Sequence, residues 1–495
     1  MPRRLRILLI SPEVEPFAKT GGLADVAGAL PKALEALGHD VRVFMPKHRG
    51  IDRHAGSLRT VLPEIRIPIA DRTLEGAVLE GRMGRAIPVY FLQRDAYYDR
   101  ESLYTTPEGD YWDNCERFIF FCRAVPEMLR ALGWTPQLIH ANDWQSGLVP
   151  VYLETLYRDD PALTGVATLF TIHNLAYQGL FWHYDMPMTG LGWDLFTPAG
   201  IEFYGKINFL KGSLVFSDVL NTVSRTYARE IQTEEFGCGL EGVLQERSPD
   251  LHGVVNGIDY EVWNPATDAE IAKRYTADDL EGKRACKLAL QEELKLRPGT
   301  TPLIGMVTRL AEQKGLDIVV AALPALVTTG VQLALLGSGE PAIEQALVEA
   351  ARRYPGQVTI RLGYDAALAR RIYAGADAFL MPSRYEPCGL GQLISLRYGT
   401  VPIVRRTGGL ADTVSEFDPD RGKGNGFAFD APAPETLLAA LGRTLRTYRQ
   451  PSLWKQLMRN GMTEDFSWEA SAREYVALYQ TAIRRARRSL RGGAA

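Results

Sequence analysis

The hexapeptide Thr-Gly-Gly-Leu-Ala-Asp occurs twice in the chain, at 20–25 and again at 407–412. In each copy two adjacent glycines leave the backbone N–H groups unhindered, and a helical pattern follows. Open N–H groups at the start of a helix bind phosphate well, and Lys19 adds a positive charge before the first copy. The spacing matches neither a P-loop nor a dinucleotide fingerprint. We predict two ligand-binding loops, the first of them suited to phosphate; the alternative is that each glycine pair only makes a tight turn.

A basic segment with the same chemistry follows a strand predicted at 303–307. Arg309 and Lys314 lie in this segment, just before another helical pattern. A lysine at the start of a helix is unfavourable unless a negative charge lies nearby. A bound diphosphate would supply that charge, with Arg309 as a forked donor and Lys314 as a point charge. The alternative is a surface lysine paired with Glu312 or Asp317.

A carboxylate follows the strand predicted at 378–381. Because proline suits the first position of a helix, we predict that a helix begins at Pro387 and that Glu386 lies at its mouth. There Glu386 can accept hydrogen bonds from sugar hydroxyls while the N–H groups of Gly389 and Leu390 face an anion. The alternative is that Glu386 only caps the helix.

Polar and aromatic side chains follow two apolar strands in the first half of the chain. Such a mixture suits carbohydrate, which presents hydroxyls at its edges and C–H groups on its faces. His140 and His173 have no clear third partner, so we predict no metal site. The residues expected to bind sugar are Asp143, Trp144, His173, Asn174 and Tyr177.

The cysteines show neither disulfide nor metal spacing, and their number, 5, is odd. Free thiols in a reducing cytoplasm are the simplest interpretation. No histidine adjoins Cys388 in sequence, so we expect a small buried thiol there and not a nucleophile.

Short apolar runs alternate with helical patterns along most of the chain, which is typical of open parallel sheets covered by helices. In the first half the strands are predicted near 5–10, 41–45, 88–92, 138–140, 166–172 and 219–223. In the second half they are predicted near 303–307, 331–336, 358–360, 378–381 and 401–404. The candidate residues follow these strands, so they are expected at the edge where parallel sheets bind ligands.

A chain of 495 residues is too long for one ordinary core, so we predict two domains. Asn-Gly, Asn-Pro and Pro-Gly pairs mark a looser stretch at 254–302, and we place the hinge near 253–257. The predicted domains are 1–253 and 254–464, followed by a C-terminal helix in 465–495. Helical segments around 271–296 are assigned to the second domain.

The composition excludes several classes of partner. With 46% hydrophobic and 23% charged residues and a formal net charge of −3, the chain gives no reason to expect nucleic acid or a membrane surface. The apolar run at 5–10 has the length of a strand and is not a signal peptide, and no run is long enough to span a bilayer. We expect a cytoplasmic globular enzyme.

The motifs together resemble the bacterial glycogen synthase and plant starch synthase family, over essentially the whole chain. The segments that carry the resemblance are 19–26, 173–179, 255–259, 309–315, 386–390 and 405–412. The resemblance implies the GT-B fold, in which two Rossmann-like domains close over a catalytic cleft and the last helix packs back on the first domain. It also implies transfer of glucose from ADP-glucose to the non-reducing end of an α-1,4-glucan such as glycogen, with retention at the anomeric carbon and without a cofactor.

The resemblance implies a role for each matching residue. Lys19, His173, Arg309, Lys314 and Glu386 would form the catalytic set, with Glu386 on the donor glucose and Arg309 and Lys314 on the departing diphosphate. The other residues expected to bind the donor are Gly21, Gly22, Asp25, Asn256 (glucose hydroxyls), Tyr364 (stacking on adenine), Cys388, Gly389, Leu390, Thr407, Gly408 and Gly409.

One residue departs from the family pattern. Gly391 stands where the family usually has a hydroxyl or amide side chain, which removes a hydrogen bond to the donor. Two other functions stay open: a related GT-B transferase that uses UDP-glucose, and a catalytically inactive glucan-binding or regulatory subunit. The sequence also leaves open whether the chain forms a homo-oligomer.

Overall fold

The computed structural model describes residues 4–492, and these residues form two compact units. The first unit contains the chain up to Val223, the segment Ala228–Val254 and the chain from Trp468 onward. The second unit contains Ser224–Tyr227 and Val255–Ser467. The chain therefore leaves the first unit, builds the second and returns to the first for its last helix.

The strands of the first unit include every strand predicted in the first half of the chain, with ends that differ by one or two residues. The continuous burial of Ile7 to Ile10 is typical of a strand covered on both faces. In chain order the strands are β1 (Arg6–Ile10), β2 (Asp40–Pro46), β3 (Arg59–Ile69), β4 (Arg72–Met83), β5 (Ile87–Gln93), β6 (Thr105–Thr106), β7 (Gly109–Asp110), β8 (Leu138–Asn142), β9 (Ala167–Ile172), β10 (Leu180–Trp182), β11 (Glu202–Phe203), β12 (Lys206–Asn208), β13 (Val219–Thr222) and β14 (Leu251–Gly253).

The main sheet of the first unit has the strand order β14-β13-β9-β8-β1-β2-β5-β4-β3. From β14 to β5 all neighbours are parallel, as predicted. The hairpin of β3 and β4 was not predicted and adds two antiparallel strands at the edge. In β3 the residues Ile65, Ile67 and Ile69 are buried and alternate with more exposed residues, so the strand lacks the continuous apolar run that identifies a parallel strand.

The helices up to Val254 connect the strands of this sheet, and α1 and α3 pack on it, while the first residues of α7 belong to the second unit. α1 buries Leu23, Val26, Leu30 and Leu34, the three- and four-residue spacing that predicted it. The helices are α1 (Gly22–Ala36), α2 (Asp95–Tyr98), α3 (Asn114–Leu132), α4 (Val149–Glu154), α5 (Met186–Thr189), α6 (Phe209–Phe216), α7 (Arg225–Glu230) and α8 (Glu241–Glu246).

The second unit is built on a fully parallel sheet with the order β17-β16-β15-β18-β19-β20. Five of its strands were predicted, and the short β20 was not. The strands are β15 (Leu303–Val307), β16 (Gln332–Gly337), β17 (Val358–Leu362), β18 (Ala378–Met381), β19 (Val401–Arg405) and β20 (Phe427–Phe429).

The helices of the second unit pack around this sheet. The helical prediction for 271–296 is correct only for α9, because Asp279 and Thr276 bond to nearby backbone N–H groups and hold the chain in turns before it. The helices are α9 (Glu281–Glu293), α10 (Leu316–Thr328), α11 (Pro341–Arg352), α12 (Ala366–Gly375), α13 (Gly391–Arg397), α14 (Gly408–Thr413), α15 (Pro434–Tyr448) and α16 (Pro451–Thr463).

The last helix, α17 (Trp468–Gly492), belongs to the first unit and packs against α1 and β9. Its buried Tyr479 hydroxyl lies 3.0 Å from Nδ1 of His140, and the Asn221 amide donates to the Tyr475 hydroxyl at 3.1 Å. α17 thus completes the core over one face of the main sheet. None of the helices in residues 4–492 combines the length and apolar character that a bilayer span requires.

Candidate active site

The strand order of the second unit creates a switch point between β15 and β18. From β15 the sheet grows through β16 in one direction and through β18 in the other. In open parallel sheets ligands bind beyond the carboxyl ends of the strands at such a point. The loops that follow β15, β18 and β19 carry the residues predicted at 309–314, 386–390 and 407–409.

Lys314 and Glu386 form a bidentate ion pair at this edge. The ammonium donates to both carboxylate oxygens, at 2.9 and 2.7 Å, and the Ser383 hydroxyl donates to Oε2 at 2.8 Å. Both side chains are largely buried, at 14% and 8% exposure. Lys314 therefore pairs with neither Glu312 nor Asp317, the partners of the alternative interpretation.

The prediction that a helix begins at Pro387 is wrong. α13 begins at Gly391, because Gly389 has a φ of +73° and turns the chain before the helix. Glu386 consequently does not cap a helix; its carboxylate is held by Lys314 and Ser383. The segment from Glu386 to Gly389 is a loop before α13 and ends at a residue with positive φ.

The second glycine pair supports this loop by close approach. A Cβ on Gly408 would lie 1.9 Å from the carbonyl oxygen of Glu386, and a Cβ on Gly409 would lie 2.1 Å from that of Cys388. The Gly409 N–H donates to the Glu386 carbonyl at 3.0 Å. α14 begins here with Thr407 as its N-cap residue, so this copy of the hexapeptide opens a helix as predicted. Its glycines are required because the two loops touch along their backbones.

Gln392 is a residue of this site that the sequence analysis missed. Its amide donates to the carbonyls of Cys388 and Gly389 at 2.9 and 3.1 Å and to the Thr413 hydroxyl at 3.2 Å. Gln392 therefore joins the loop after β18 to α14. The thiol of Cys388 is buried as predicted, and burial raises its pKa to about 12, so it stays protonated.

Close packing around Gly391 leaves little room for a side chain. A Cβ at this position would lie 2.9 Å from a ring carbon of Phe379 and 3.3 Å from the sulfur of Met381. Phe379 in turn stacks on Tyr373, with ring centroids 4.9 Å apart. The missing side chain is thus matched by apolar neighbours that fill the space.

Three other predicted donor residues lie at different depths in the second unit. Arg309 is exposed and donates to the Gln313 side chain at 3.3 Å. Tyr364 is 90% exposed. Asn256 is 4% exposed, and its Oδ1 atom has no hydrogen-bond partner in the part of the chain that the structure describes. A buried acceptor without a donor indicates a place where a ligand hydroxyl can bond.

The first unit has a corresponding switch point between β1 and β8. The loop after β1 carries Lys19 and the first glycine pair, and the loops after β8 and β9 carry Asp143 and His173. The predicted residues of the first half thus follow three adjacent strands of one sheet edge.

Asp143 and His173 form a bonded pair. The His173 N–H donates to Asp143 Oδ1 at 2.7 Å, and the Asn174 N–H bonds to the same carboxylate. Burial raises the pKa of Asp143 to about 7, and the nearby Glu13 charge adds to this rise. Asp143 also has a φ of +54°, which is uncommon for a residue with a side chain.

The imidazole of His173 is neutral with a defined tautomer. The Asn142 amide nitrogen donates to the carbonyls of Ile10 and His140, so its Oδ1 must accept from His173 Nε2, 2.9 Å away. Nδ1 is then the nitrogen with the lone pair. Burial lowers the pKa of His173 to about 3, which keeps the ring uncharged at neutral pH.

The first glycine pair differs from the second in its surroundings. A Cβ on Gly21 or Gly22 would meet no atom within 4 Å, so these glycines face open space. α1 begins at Gly22, as the pattern predicted. Lys19 lies beside this loop, and its ammonium pairs with Asp25 at 2.6 Å. The same six residues therefore serve close packing in one unit and an open loop in the other.

Glu13, in the first unit, is another residue that the sequence analysis missed. Its side chain is buried, and its carboxylate accepts from Thr20 N–H at 2.5 Å, Thr20 Oγ1 at 2.6 Å, Gly21 N–H at 3.3 Å and the Tyr104 hydroxyl at 2.7 Å. No charge pattern in the sequence marks Glu13; only its position shortly after β1 is informative.

The two aromatic residues predicted to bind sugar differ in exposure. Tyr177 is 57% exposed. Trp144 packs its indole against Phe118, with ring centroids 4.9 Å apart, and covers Gly179, where a Cβ would lie 2.4 Å from the ring. Trp144 thus contributes to the aromatic core under the loop as well as to its surface.

Within residues 4–492 no group of three or more His, Cys, Asp or Glu side chains is arranged to hold a metal ion. His140, weighed as a ligand above, bonds through Nε2 to the Thr171 hydroxyl at 2.7 Å and through Nδ1 to Tyr479. Both ring nitrogens of His140 are therefore used within the protein.

Comparison with known proteins assigns the chain to a family. The model of the starch synthase catalytic domain matches residues 6–246, and that of glycosyl transferases group 1 matches residues 301–447. The glycogen synthase of Syntrophotalea carbinolica is 51% identical over 97% of this chain and 99% of its own length. The chain belongs to the glycogen synthase family. A second glycogen synthase, from Anaeromyxobacter dehalogenans, is 50% identical over 96% of this chain and 99% of its own.

A solved structure agrees with this membership. The catalytic domain of starch synthase IV from Arabidopsis thaliana, bound to ADP and acarbose, is 34% identical and superposes with a TM-score of 0.88, covering 97% of this chain and 100% of that one. The fold of this glycogen synthase family member is accordingly GT-B, with two Rossmann-like units, as predicted.

Proposed function

We propose that this chain transfers glucose from ADP-glucose to the non-reducing end of an α-1,4-glucan, with retention of configuration at the anomeric carbon. The observation that carries the proposal is the buried pair of Lys314 and Glu386 at the switch point of the second sheet. It combines a cation suited to a diphosphate with a carboxylate suited to sugar hydroxyls. The relatives named glycogen synthase and the neighbour bound to ADP and acarbose support the same substrates.

In this proposal the second unit stabilises the departing diphosphate. Lys314 and Arg309 supply positive charge, and Thr407, Gly408 and Gly409 line the phosphate site beside Glu386, with the Gly409 N–H bonded to the Glu386 carbonyl. Glu386 binds hydroxyls of the donor glucose. These groups are already in position before the substrate binds, so little reorganisation accompanies the development of negative charge on the leaving phosphate.

The transfer step needs no second carboxylate. The bond from the anomeric carbon to the phosphate oxygen breaks while the acceptor hydroxyl oxygen bonds to the same face of that carbon, and the acceptor proton passes to the departing phosphate oxygen. Retaining hydrolases instead use two carboxylates about 5 Å apart, one of them as the nucleophile. The Glu386 carboxylate is bonded to the Lys314 ammonium and the Ser383 hydroxyl, which suits binding better than nucleophilic attack.

The first unit binds the sugars in this proposal. A neutral His173 contacts the donor glucose without repelling the positive charge that develops at its anomeric carbon. Asp143, Trp144, Asn174 and Tyr177 bind sugar around it. Lys19, Asp25 and the unhindered backbone at Gly21 and Gly22 contribute to donor binding from the other loop.

The nucleotide and glucose are recognised by exposed and orphaned groups of the second unit. Tyr364, 90% exposed, offers a ring on which adenine stacks. Asn256 offers its unpartnered Oδ1 to a glucose hydroxyl. Because Lys314 and Arg309 supply the positive charge, we propose that the reaction uses neither a metal ion nor a cofactor. We also propose that it takes place in the cytoplasm.

The test measures release of ADP and of UDP from the two nucleotide-glucoses, each with and without glycogen. Glycogen-dependent release of ADP is expected, and analysis of the extended chains should show α-linkages only. Preference for UDP-glucose would instead identify a related GT-B transferase that uses this donor. Glycogen binding without turnover of either donor would instead identify an inactive glucan-binding subunit.

A further inference from the structure

Glu13 holds the first glycine-rich loop from the inside. Its carboxylate is buried and receives four hydrogen bonds, three of them from Thr20 and Gly21 and the fourth from Tyr104. Burial raises the pKa of Tyr104 well above its usual value, so its hydroxyl stays a donor. A carboxylate near the start of α1 is also favoured by the helix dipole.

The loop is open at its two glycines on the other side. Around Gly21 and Gly22 an added Cβ would meet no atom within 4 Å. In the second unit the equivalent glycines are pressed against the backbone of Glu386 and Cys388, which determines their conformation. Among residues 4–492 no backbone atom lies that close to the Cβ positions of Gly21 and Gly22, so the contacts of Glu13 carry more weight in the first loop.

We propose that Glu13 is a positioning residue for donor binding: it holds Thr20 and Gly21 so that Lys19 and the start of α1 are presented to the diphosphate in one conformation. The inference rests on the proposed function, since it is donor binding that the loop serves. In this proposal Glu13 itself does not touch the donor: the four hydrogen bonds that its carboxylate accepts come from the loop and from Tyr104.

Two substitutions separate the parts of this role. Glu13→Leu removes every acceptor, which leaves two backbone N–H groups and two hydroxyls without their partner. Glu13→Gln keeps one oxygen for the N–H groups of Thr20 and Gly21, and its NH₂ group can donate to the two hydroxyls once they rotate. We expect Glu13→Leu to raise the KM for ADP-glucose by about tenfold or more with a smaller change in kcat, and Glu13→Gln to stay within about threefold of the unsubstituted enzyme.

Asp218 provides a matched control. Its carboxylate accepts from the N–H and the hydroxyl of a single threonine, Thr168, at 2.7 and 3.0 Å, in the same unit but away from the glycine loop. Asp218→Leu therefore removes the same kind of contact. It is expected to lower thermal stability while leaving the KM for ADP-glucose unchanged.

Hydrogen exchange of the unliganded protein provides a readout independent of activity. The amides of Thr20 and Gly21 are expected to exchange at least about ten times faster in Glu13→Leu than in the unsubstituted protein, and to be unaffected by Asp218→Leu. Unchanged exchange, or a Glu13→Leu variant that loses only stability as the control does, would overturn the inference. If the unsubstituted enzyme does not use ADP-glucose but the exchange result holds, the proposed function fails while the role of Glu13 in ordering the loop stands.

Discussion

The ammonium of Lys314 lies within hydrogen-bond distance of both carboxylate oxygens of Glu386, at 2.9 and 2.7 Å. Each charge neutralises the other inside a largely buried site, where an unpaired charge would be costly. A diphosphate that binds Lys314 must therefore share it with Glu386. This coupling makes the pair the first target for substitution.

Replacement of Lys314 by alanine is expected to reduce kcat by about a hundredfold or more, because the departing diphosphate loses a fixed cation. The Lys287–Asp377 pair, 2.7 Å long and 8% and 15% exposed, provides a control in the same unit. Lys287→Ala should lower the free energy of unfolding as Lys314→Ala does, with kcat retained. Steady-state kinetics and urea unfolding of both variants make the comparison. Near-normal turnover of Lys314→Ala would remove this lysine from the mechanism.

The two copies of the hexapeptide should respond in opposite ways to a methyl group. Gly409→Ala places a Cβ 2.1 Å from the Cys388 carbonyl oxygen and is expected to lower the free energy of unfolding by about 2 kcal/mol or more. Gly22→Ala meets no atom and should leave stability within about 0.5 kcal/mol, while the KM for the donor rises. Thermal unfolding and donor kinetics test both variants. Equal losses of stability would show that the first loop is as tightly packed as the second.

The raised pKa of Asp143 predicts a pH-dependent contribution to stability. With a pKa of about 7 in the folded protein against an ordinary value of 3.8, the folded state holds a proton that the unfolded state releases between these values. The contribution of this group to stability therefore falls as the pH rises from about 4 to about 7 and is constant above.

The lowered pKa values of His173 and His140, both about 3, act in the opposite direction and stabilise the fold as the pH rises to 6.5. The variant Asp143→Asn isolates the carboxylate, since both histidines remain. The difference in free energy of unfolding, variant minus unsubstituted, should increase between pH 4 and 7 in urea unfolding. Parallel curves across this range would contradict a raised pKa at Asp143.

Substitution of Gly391 should destabilise the protein unless the neighbouring side chain of Phe379 is made smaller. Gly391→Ser introduces a Cβ 2.9 Å from the Phe379 ring and is expected to lower the melting temperature by several degrees, since about 1 kcal/mol shifts it by roughly 2–4 °C in a domain of this size. Phe379→Leu combined with Gly391→Ser should recover part of this loss beyond the sum of the two single effects. Additive losses would place the cause elsewhere.

The sequence predicted the strands that precede the site because each is a short, continuous apolar run. It could not predict that Lys314 and Glu386, 72 residues apart, would pair, because this depends on β15 and β18 becoming neighbours in the sheet. Strand order is not encoded in any local pattern. The placement of a helix start at Pro387 failed for a related reason: Glu386 and Cys388 are in backbone contact with Gly408 and Gly409, which follow another strand of the sheet.

Glu13 and Gln392 were missed because at least half of their partners are backbone atoms. A carboxylate that bonds to N–H groups of Thr20 and Gly21 leaves no trace in residue types or spacing. For Trp144 the sequence predicted too simple a role. An aromatic residue near polar ones predicts a surface for sugar binding, but the pattern does not show that Phe118 packs against part of the ring.

The position of α17 has a consequence for synthesis. His140 and Asn221, in the middle of the first sheet, each bond to Thr171 within the sheet and obtain a further partner, Tyr479 or Tyr475, from this helix. A ribosome that adds about 5–20 residues per second needs ten seconds or more to pass from Val254 to Trp468. Throughout that interval the nascent first unit exposes the apolar face that α17 will cover, so the half of the protein made first completes its core last.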